Sequence, residues 1–241
     1  MADLAEKKTA TKKEPHHGEG HRERLRARFI RSGAGSCEDY ELIEMVLFAA
    51  IPRRDVKPIA KKLLSRFGGI SGVLGASLSD LKQIEGLGEN AAVLFRVIHS
   101  LTQRMLMEDI TKKPVLTSWK KLIDYCHVAM AHEKREHFRV LFLNRKNQLI
   151  ADEVQQIGTV DHAPVYPREI VRRALELGAT ALILVHNHPS GDPEPSDSDI
   201  AMTEEIIRAA KALDVLVHDH IIVSRSGHTS FKSLGILDFT G

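Results

Sequence analysis

Two periodicities divide this chain. Through its first half apolar residues recur at three- and four-residue spacing; through its second half they alternate or gather in short runs. The first pattern predicts amphipathic helices and the second predicts strands. Residues 21–33 put Leu25, Phe29 and Ile30 on one side of a helix. Residues 37–51 open with acidic side chains, as helix N-termini prefer, and stop before Pro52. Residues 55–67 stop at Gly68-Gly69. Residues 77–106 read as two helices joined by Gly86-Leu87-Gly88. Residues 107–118 read as a connecting stretch, and Ser118 is placed to cap a helix beginning at Trp119. Strands are expected over 136–144 and 147–158, turning at Arg145-Lys146-Asn147. Pro167 stands where a helix's first turn favours proline, and that helix reaches Gly178. The apolar run from Ala181 to Val185 reads as a buried strand continuing to His188. A helix opens at Asp197, and strands over 215–224 and 228–234 close the chain.

This order predicts an all-helical N-terminal domain followed by an α/β sandwich, a mixed sheet with flanking helices. The expected boundaries are a disordered basic tail at 1–18, a helical domain at 19–108, a linker at 109–117 and the α/β domain at 118–241. A hydrophobic share of 43% over 241 residues suffices for two modest cores.

Charge changes the picture only at one end. Up to Arg31 there are nine Lys or Arg against five Asp or Glu, although the whole chain carries a formal charge of only +2. The basic helix around Arg22, Arg24, Arg26 and Arg28 predicts weak, nonspecific contact with DNA phosphates. The Gly86-Leu87-Gly88 turn is similar to a helix-hairpin-helix, in which backbone N–H groups meet a phosphate. Glu85 and Glu89 flank those glycines, so an ordinary cap and tight turn is the simpler reading. Aromatics make up 5% of the chain, with one Trp, which argues against a stacking platform for single strands. Cys37 and Cys126 lack the spacing of a metal or redox motif. No apolar run is long enough to span a bilayer, and the N-terminus lacks a signal-peptide core. A soluble, cytoplasmic protein without a membrane partner is expected.

The candidate chemistry lies near residue 190. His186 and His188 end the strand begun at Ala181, and residues i and i+2 of a strand face one side. Pro189, Gly191, Pro193 and Pro195 then impose a loop, which can bring Asp199 back to the same point. Two imidazoles and one carboxylate suit a zinc ion whose fourth position is open to water, a catalytic rather than a structural arrangement. Simpler readings compete. With 13 histidines, a pair at this spacing can arise by chance, and a second stands at His218 and His220. Ser196 to Asp199 also has the form of a capping box. The cap and the metal site are compatible, because the cap holds Asp199 in the first helical turn, where the dipole favours its charge.

The spacing of His186, His188, Ser196 and Asp199 resembles the JAMM (MPN-plus) metalloprotease motif, HxH, seven residues, SxxD. Residues 136–154, 166–200 and 219–223 are similar to the RadC-like branch of that family. Residues 20–29 and 39–64 resemble the branch's N-terminal half. The resemblance implies a JAMM/MPN-type sandwich over 118–241, Zn2+ held by His186, His188 and Asp199, and a Ser196 hydroxyl donated to a developing oxyanion. It also implies a general-base Glu at the start of the first core strand, where Glu136 stands. The glycines usual on that strand are absent, with Arg139 and Phe142 in their region, so Glu153 and Glu169 remain open as bases.

Asn187 points away from its neighbours and is expected to fix the loop by hydrogen bonding. His218-Asp219-His220 is expected to support the fold or to back a metal ligand. The function expected is a zinc-dependent peptidase or isopeptidase acting on a peptide or protein. The alternative is a DNA-associated accessory or repair-linked protein, with the helical half binding DNA nonspecifically. The intact ligand set favours the enzyme.

Overall fold

The computed structural model describes residues 17–158 and 165–238. Most of the expected tail lies outside them, and its last two residues already belong to the first helix. The N-terminal half consists of α1 (His17–Ser32), α2 (Asp39–Ala50), α3 (Lys57–Phe67), α4 (Ile70–Gly75), α5 (Leu78–Lys82) and α6 (Gly88–Thr111). Leu25, Ile43, Leu47, Ile59, Leu63, Val73, Leu81 and Phe95 form its core. The short helix α4 was not expected, because Gly72 and Gly75 break up its apolar pattern.

Helix α6 has 24 residues, a span of about 36 Å at 1.5 Å per residue. It begins in the first core with Ala91, Ala92 and Phe95 and ends in a second core with Ile110. The connecting stretch expected over 109–117 is therefore packed rather than loose. Thr111 still belongs to α6, and Ile110 and Val115 are fully buried. Their apolar side chains outweigh the local Lys112-Lys113-Pro114 signal.

The C-terminal half follows as α7 (Trp119–Met130), β1 (His137–Leu143), β2 (Leu149–Ile157), α8 (Pro167–Leu177), β3 (Ala181–Asn187), α9 (Asp197–Lys211), β4 (Leu216–Val223), β5 (His228–Ser230) and α10 (Phe231–Leu234). The strands form one five-stranded sheet in the order β2-β1-β3-β4-β5. Only the β3–β4 pair is parallel. The mixed sheet with flanking helices is the architecture expected. Two local readings are corrected. Ser118 stands at the N-cap of α7 without capping it; its hydroxyl donates to the Pro114 carbonyl at 3.1 Å. The last expected strand stops at Ser230, whose hydroxyl accepts from Ser233 N–H at 3.0 Å and opens α10 instead.

Alternation sorts each strand between two cores. Leu141, Leu143, Ile183, Val185, Ile221 and Val223 face α7 and the end of α6. Phe138, Val140, Phe142, Leu182, Leu184 and Val217 face α8 and α9. One irregularity matters for the site. Leu182 pairs with Val217 but Ile183 pairs with Asp219, so the β3–β4 register slips by one residue. The slip reverses the phase of β4 and turns His220 to the α9 side, opposite Leu184. No helix among the described residues is long and apolar enough to cross a membrane.

Candidate metal centre

His186 follows Leu182 and Leu184 on the α9 face of β3 and is fully buried. His188 lies one residue beyond the strand, tied to it by its N–H to the Val223 carbonyl at 3.0 Å. Asp199 comes from the first turn of α9. Ser196 caps that helix: its Oγ accepts from Asp199 N–H at 3.2 Å, and its own N–H donates to Asp199 Oδ2 at 2.9 Å. The three expected ligands meet. His186 Nε2 is 2.9 Å from His188 Nε2 and 3.3 Å from Asp199 Oδ1, and His188 Nε2 is 3.4 Å from Asp199 Oδ2.

The hydrogen-bond partners assign the tautomers. His188 Nδ1 lies 2.8 Å from the Asp192 carbonyl. A carbonyl only accepts, so Nδ1 carries the hydrogen and neutral His188 keeps a lone pair on Nε2. Thr203 Oγ1 donates to the Asp199 carbonyl at 2.5 Å and lies 2.6 Å from His220 Nδ1. With its hydrogen spent on the carbonyl, Thr203 accepts from His220 Nδ1. His220 Nε2 then accepts from His186 Nδ1 at 2.7 Å. His186 is left with its lone pair on Nε2, as in His188. Both lone pairs and the carboxylate face one point. Neighbouring donors around a tetrahedral zinc with bonds of about 2.0–2.1 Å lie about 3.3 Å apart; the two N–O separations match this, and the 2.9 Å between the two Nε2 atoms is shorter. The residues present therefore fit a metal ion, with His186, His188 and Asp199 as donors.

Electrostatics agree with a site built for cations. Burial works against the charge of Asp199, but the adjacent His186 and His188 imidazoles and the Ser196 hydroxyl hold its carboxyl well below the usual range. The Asp199 carboxylate beside it raises His188, against the pull of burial. Complete burial holds His220 neutral, well below the ordinary histidine value, between Phe138 at 5.7 Å and Phe231 at 4.6 Å.

The three glutamates part company. Phe138 pairs with His186 across β1 and β3, so Glu136, two residues earlier, projects to the same side as His186 and His188. Its charge reaches His188, and its carboxylate makes no hydrogen bond or ion pair among the described residues. Glu153 is gripped by Arg173, with contacts of 2.6 and 3.0 Å. Glu169 is held by Arg172 at 3.0 Å. The unusual Arg139 lies on the opposite face, where it pairs with Asp152 at 2.6 Å; Phe142 is ordinary core. The β1–β2 pairing slips beside each of them, but the β1–β3 register that faces the site runs unbroken from Phe138 to Leu143. Ser196 donates its hydroxyl to Asp199 Oδ2 at 2.6 Å, so its visible work is to hold that carboxylate.

Asn187 does hydrogen-bond, but to the segment leading into β1 and not to the loop after His188. Its Oδ1 accepts from His137 N–H at 2.8 Å, and its Nδ2 donates to the Arg135 carbonyl at 3.0 Å. It thereby ties the segment that carries Glu136. Of the second histidine pair, only His220 joins the site; His218 Nε2 turns to Asn147 Oδ1 at 2.7 Å. Thr203 was missed by sequence reasoning. The available signal was its position one helical turn after Asp199.

The residues expected to meet DNA are partly consumed by the fold. Arg22 donates to the carbonyls of Ile51 and Arg54 at 2.7 and 2.5 Å, and Arg28 pairs with Glu41. Gly86 and Gly88 take positive φ values of 81° and 71°, as a tight turn demands. Glu85 and Glu89 beside them are paired with Lys62 and Lys82.

Comparison with protein families agrees with this architecture. The RadC-like JAB domain matches residues 116–236, about half of the chain. The chain belongs to the RadC family. The UPF0758 N-terminal domain matches residues 20–93. The RadC-like JAB domain thus takes in the whole sheet, the His186–His188–Asp199 group and the His220–Thr203 relay behind it.

Proposed function

We propose that this RadC family member is a zinc-dependent hydrolase that cleaves peptide or isopeptide bonds. One observation carries the reading: Nε2 of His186, Nε2 of His188 and the Asp199 carboxylate present lone pairs to one point, with N–O separations of 3.3 and 3.4 Å. Zinc held there supplies Lewis acidity toward a carbonyl and lowers the pKa of a bound water to about 7. Glu136, unpaired among the described residues and on the same side of the sheet, accepts the proton of the attacking water and returns it to the leaving amine. The Ser196 hydroxyl turns from Asp199 toward the carbonyl oxygen as charge builds there. His220 and Thr203 keep the hydrogen of His186 on Nδ1.

Purified protein is expected to hold about one zinc per chain, the load of a single site with one metal position. His186→Ala/His188→Ala should lose it, as read by elemental analysis after dialysis. Equal, negligible zinc in both proteins refutes the metal assignment. Glu136→Gln should keep zinc and fold yet lose about 10²–10⁴ in rate, measured on a library of quenched fluorogenic peptides. Activity retained in Glu136→Gln but lost in Glu153→Gln or Glu169→Gln moves the base elsewhere.

A further inference from the structure

A cleft of about 770 Å³ separates the two halves of the molecule. One wall comes from the α3–α5 region and α6, and the other from residues 131–135 and His137 together with Pro189 and Arg225. The walls meet closely at Gly75, where a Cβ would fall 2.7 Å from the His132 ring. Only glycine allows that approach.

The charge of the cleft is lopsided. Arg66, Arg96, Lys134, Arg135 and Arg225 line it against Asp80 and Glu133. Lys134 and Asp80 neutralise each other at 2.6 Å. The partners of the remaining cations are neutral. Arg66 donates to Gln83 Oε1 at 2.5 Å. Arg96 reaches the Ala76 carbonyl at 3.2 Å, and Arg225 the Pro189 carbonyl at 2.9 Å. Among the described residues, no carboxylate pairs with Arg66, Arg96, Arg135 or Arg225. Neutral contacts orient a guanidinium without cancelling its charge, and its planar fork suits carboxylates.

The cleft also shares a wall with the metal centre. Asn187 clamps the loop that presents Glu136 to one side, while Arg135 and His137 line the cleft on the other. Pro189 follows His188 directly.

We propose that this cleft binds an acidic polypeptide segment carried by the substrate of the metal centre. The link to a substrate rests on the hydrolase reading; the binding itself does not. Peptide fits better than nucleic acid for two reasons. Phe67 is the one Phe, Tyr or Trp among the lining residues, so the cleft offers no series of aromatic platforms for bases. Glu133 among the lining residues would repel a continuous phosphate backbone, whereas a peptide bears its charges at separate positions.

The test uses the full chain and a fluorescein-labelled peptide in which glutamates are spaced by glycine and serine, followed by anisotropy at low salt. Wild type should bind it, and added salt should weaken binding, because exposed charges are screened. Arg66→Ser/Arg135→Ser should weaken it roughly fivefold or more, the combined loss of two exposed ion pairs. Both arginines are exposed, and a thermal melt checks the fold. Arg208→Ser, an exposed arginine outside the cleft, should bind as wild type does. His186→Ala/His188→Ala should also bind normally, which keeps this inference separate from the fate of the hydrolase reading. The proposal is overturned by absence of binding at low salt, or by equal binding in the Arg66→Ser/Arg135→Ser protein. It is likewise overturned if oligothymidine of matching length binds more tightly and is lost in that variant, which would make the cleft a nucleic-acid site.

Discussion

Single side chains at this site hold two positions at once, and Ser196 is the clearest case. As a cap it satisfies Asp199 N–H, and its hydroxyl reaches Asp199 Oδ2 at 2.6 Å. Losing a cap costs about 1 kcal/mol. Losing an oxyanion donor costs about 10²–10³ in rate. Ser196→Ala is expected to show both losses, read by thermal melting and by turnover of a peptide found in the library screen. A slightly destabilised variant with unchanged turnover would leave Ser196 as a cap alone. The Ser196 cap was legible in the sequence because it depends on residues three apart. The resemblance pointed to Glu136, but the residues by themselves did not separate it from Glu153. Both project to the same side of the sheet, since Val140, two residues beyond Phe138, pairs with Glu153. What separates them is Arg173, brought in by α8.

At the scale of elements, the site depends on how α9 seats against β4. Thr203 and Asp199 share one face of α9, one turn apart, and Thr203 meets His220 at 2.6 Å. That contact exists only because the register slip at the start of β4 turns His220 toward α9. Plain alternation from Val217 would send His220 to the α7 side. Removing the acceptor from this relay should unsettle the His186 tautomer without touching a donor atom. Thr203→Val keeps the shape and deletes the hydroxyl. It is expected to lower zinc affinity by about 10–100-fold, the usual cost of removing a partner behind a ligand. Chelator competition measures this. Unchanged affinity would show that His220 alone orients His186.

The two halves of the whole molecule are held by shared structure rather than by a tether. Helix α6 enters both cores, and Lys134 crosses to Asp80. Asp80 lies in α5 and is buried. Its carboxyl sits below the usual aspartate value, chiefly through the Lys134 hydrogen bond and then that of Ser77, with burial opposing both. A depressed folded value means that the unfolded chain takes up protons first as pH falls. The stabilisation is therefore complete above the unfolded aspartate value of about 3.9 and is lost as pH drops through the lower folded value. Asp80→Asn should be less stable than wild type near neutrality, and the gap should close in strong acid. Denaturant melts across that range test the sign. A gap that stays constant would show that the Lys134 contact contributes nothing through charge.

The amino-acid order by itself determined the two-part organisation, the α/β class of the second half, the common side of His186 and His188, and the cap that presents Asp199. Each follows from rules acting over a few residues: the helical and strand periods, proline and glycine as breaks, and side-chain capping of a helix start. The tertiary structure alone decided four other features. It continued α6 through the expected linker, because Ile110 and Val115 find a core there. It opened α10 where a strand was expected. Among the described residues it left Glu136 without a partner, while Arg173 and Arg172 took the competing glutamates. It turned His220 and Thr203 into the support of His186. These depend on which distant segments come to lie side by side, and no local period encodes a register slip or an ion pair between residues far apart in the chain.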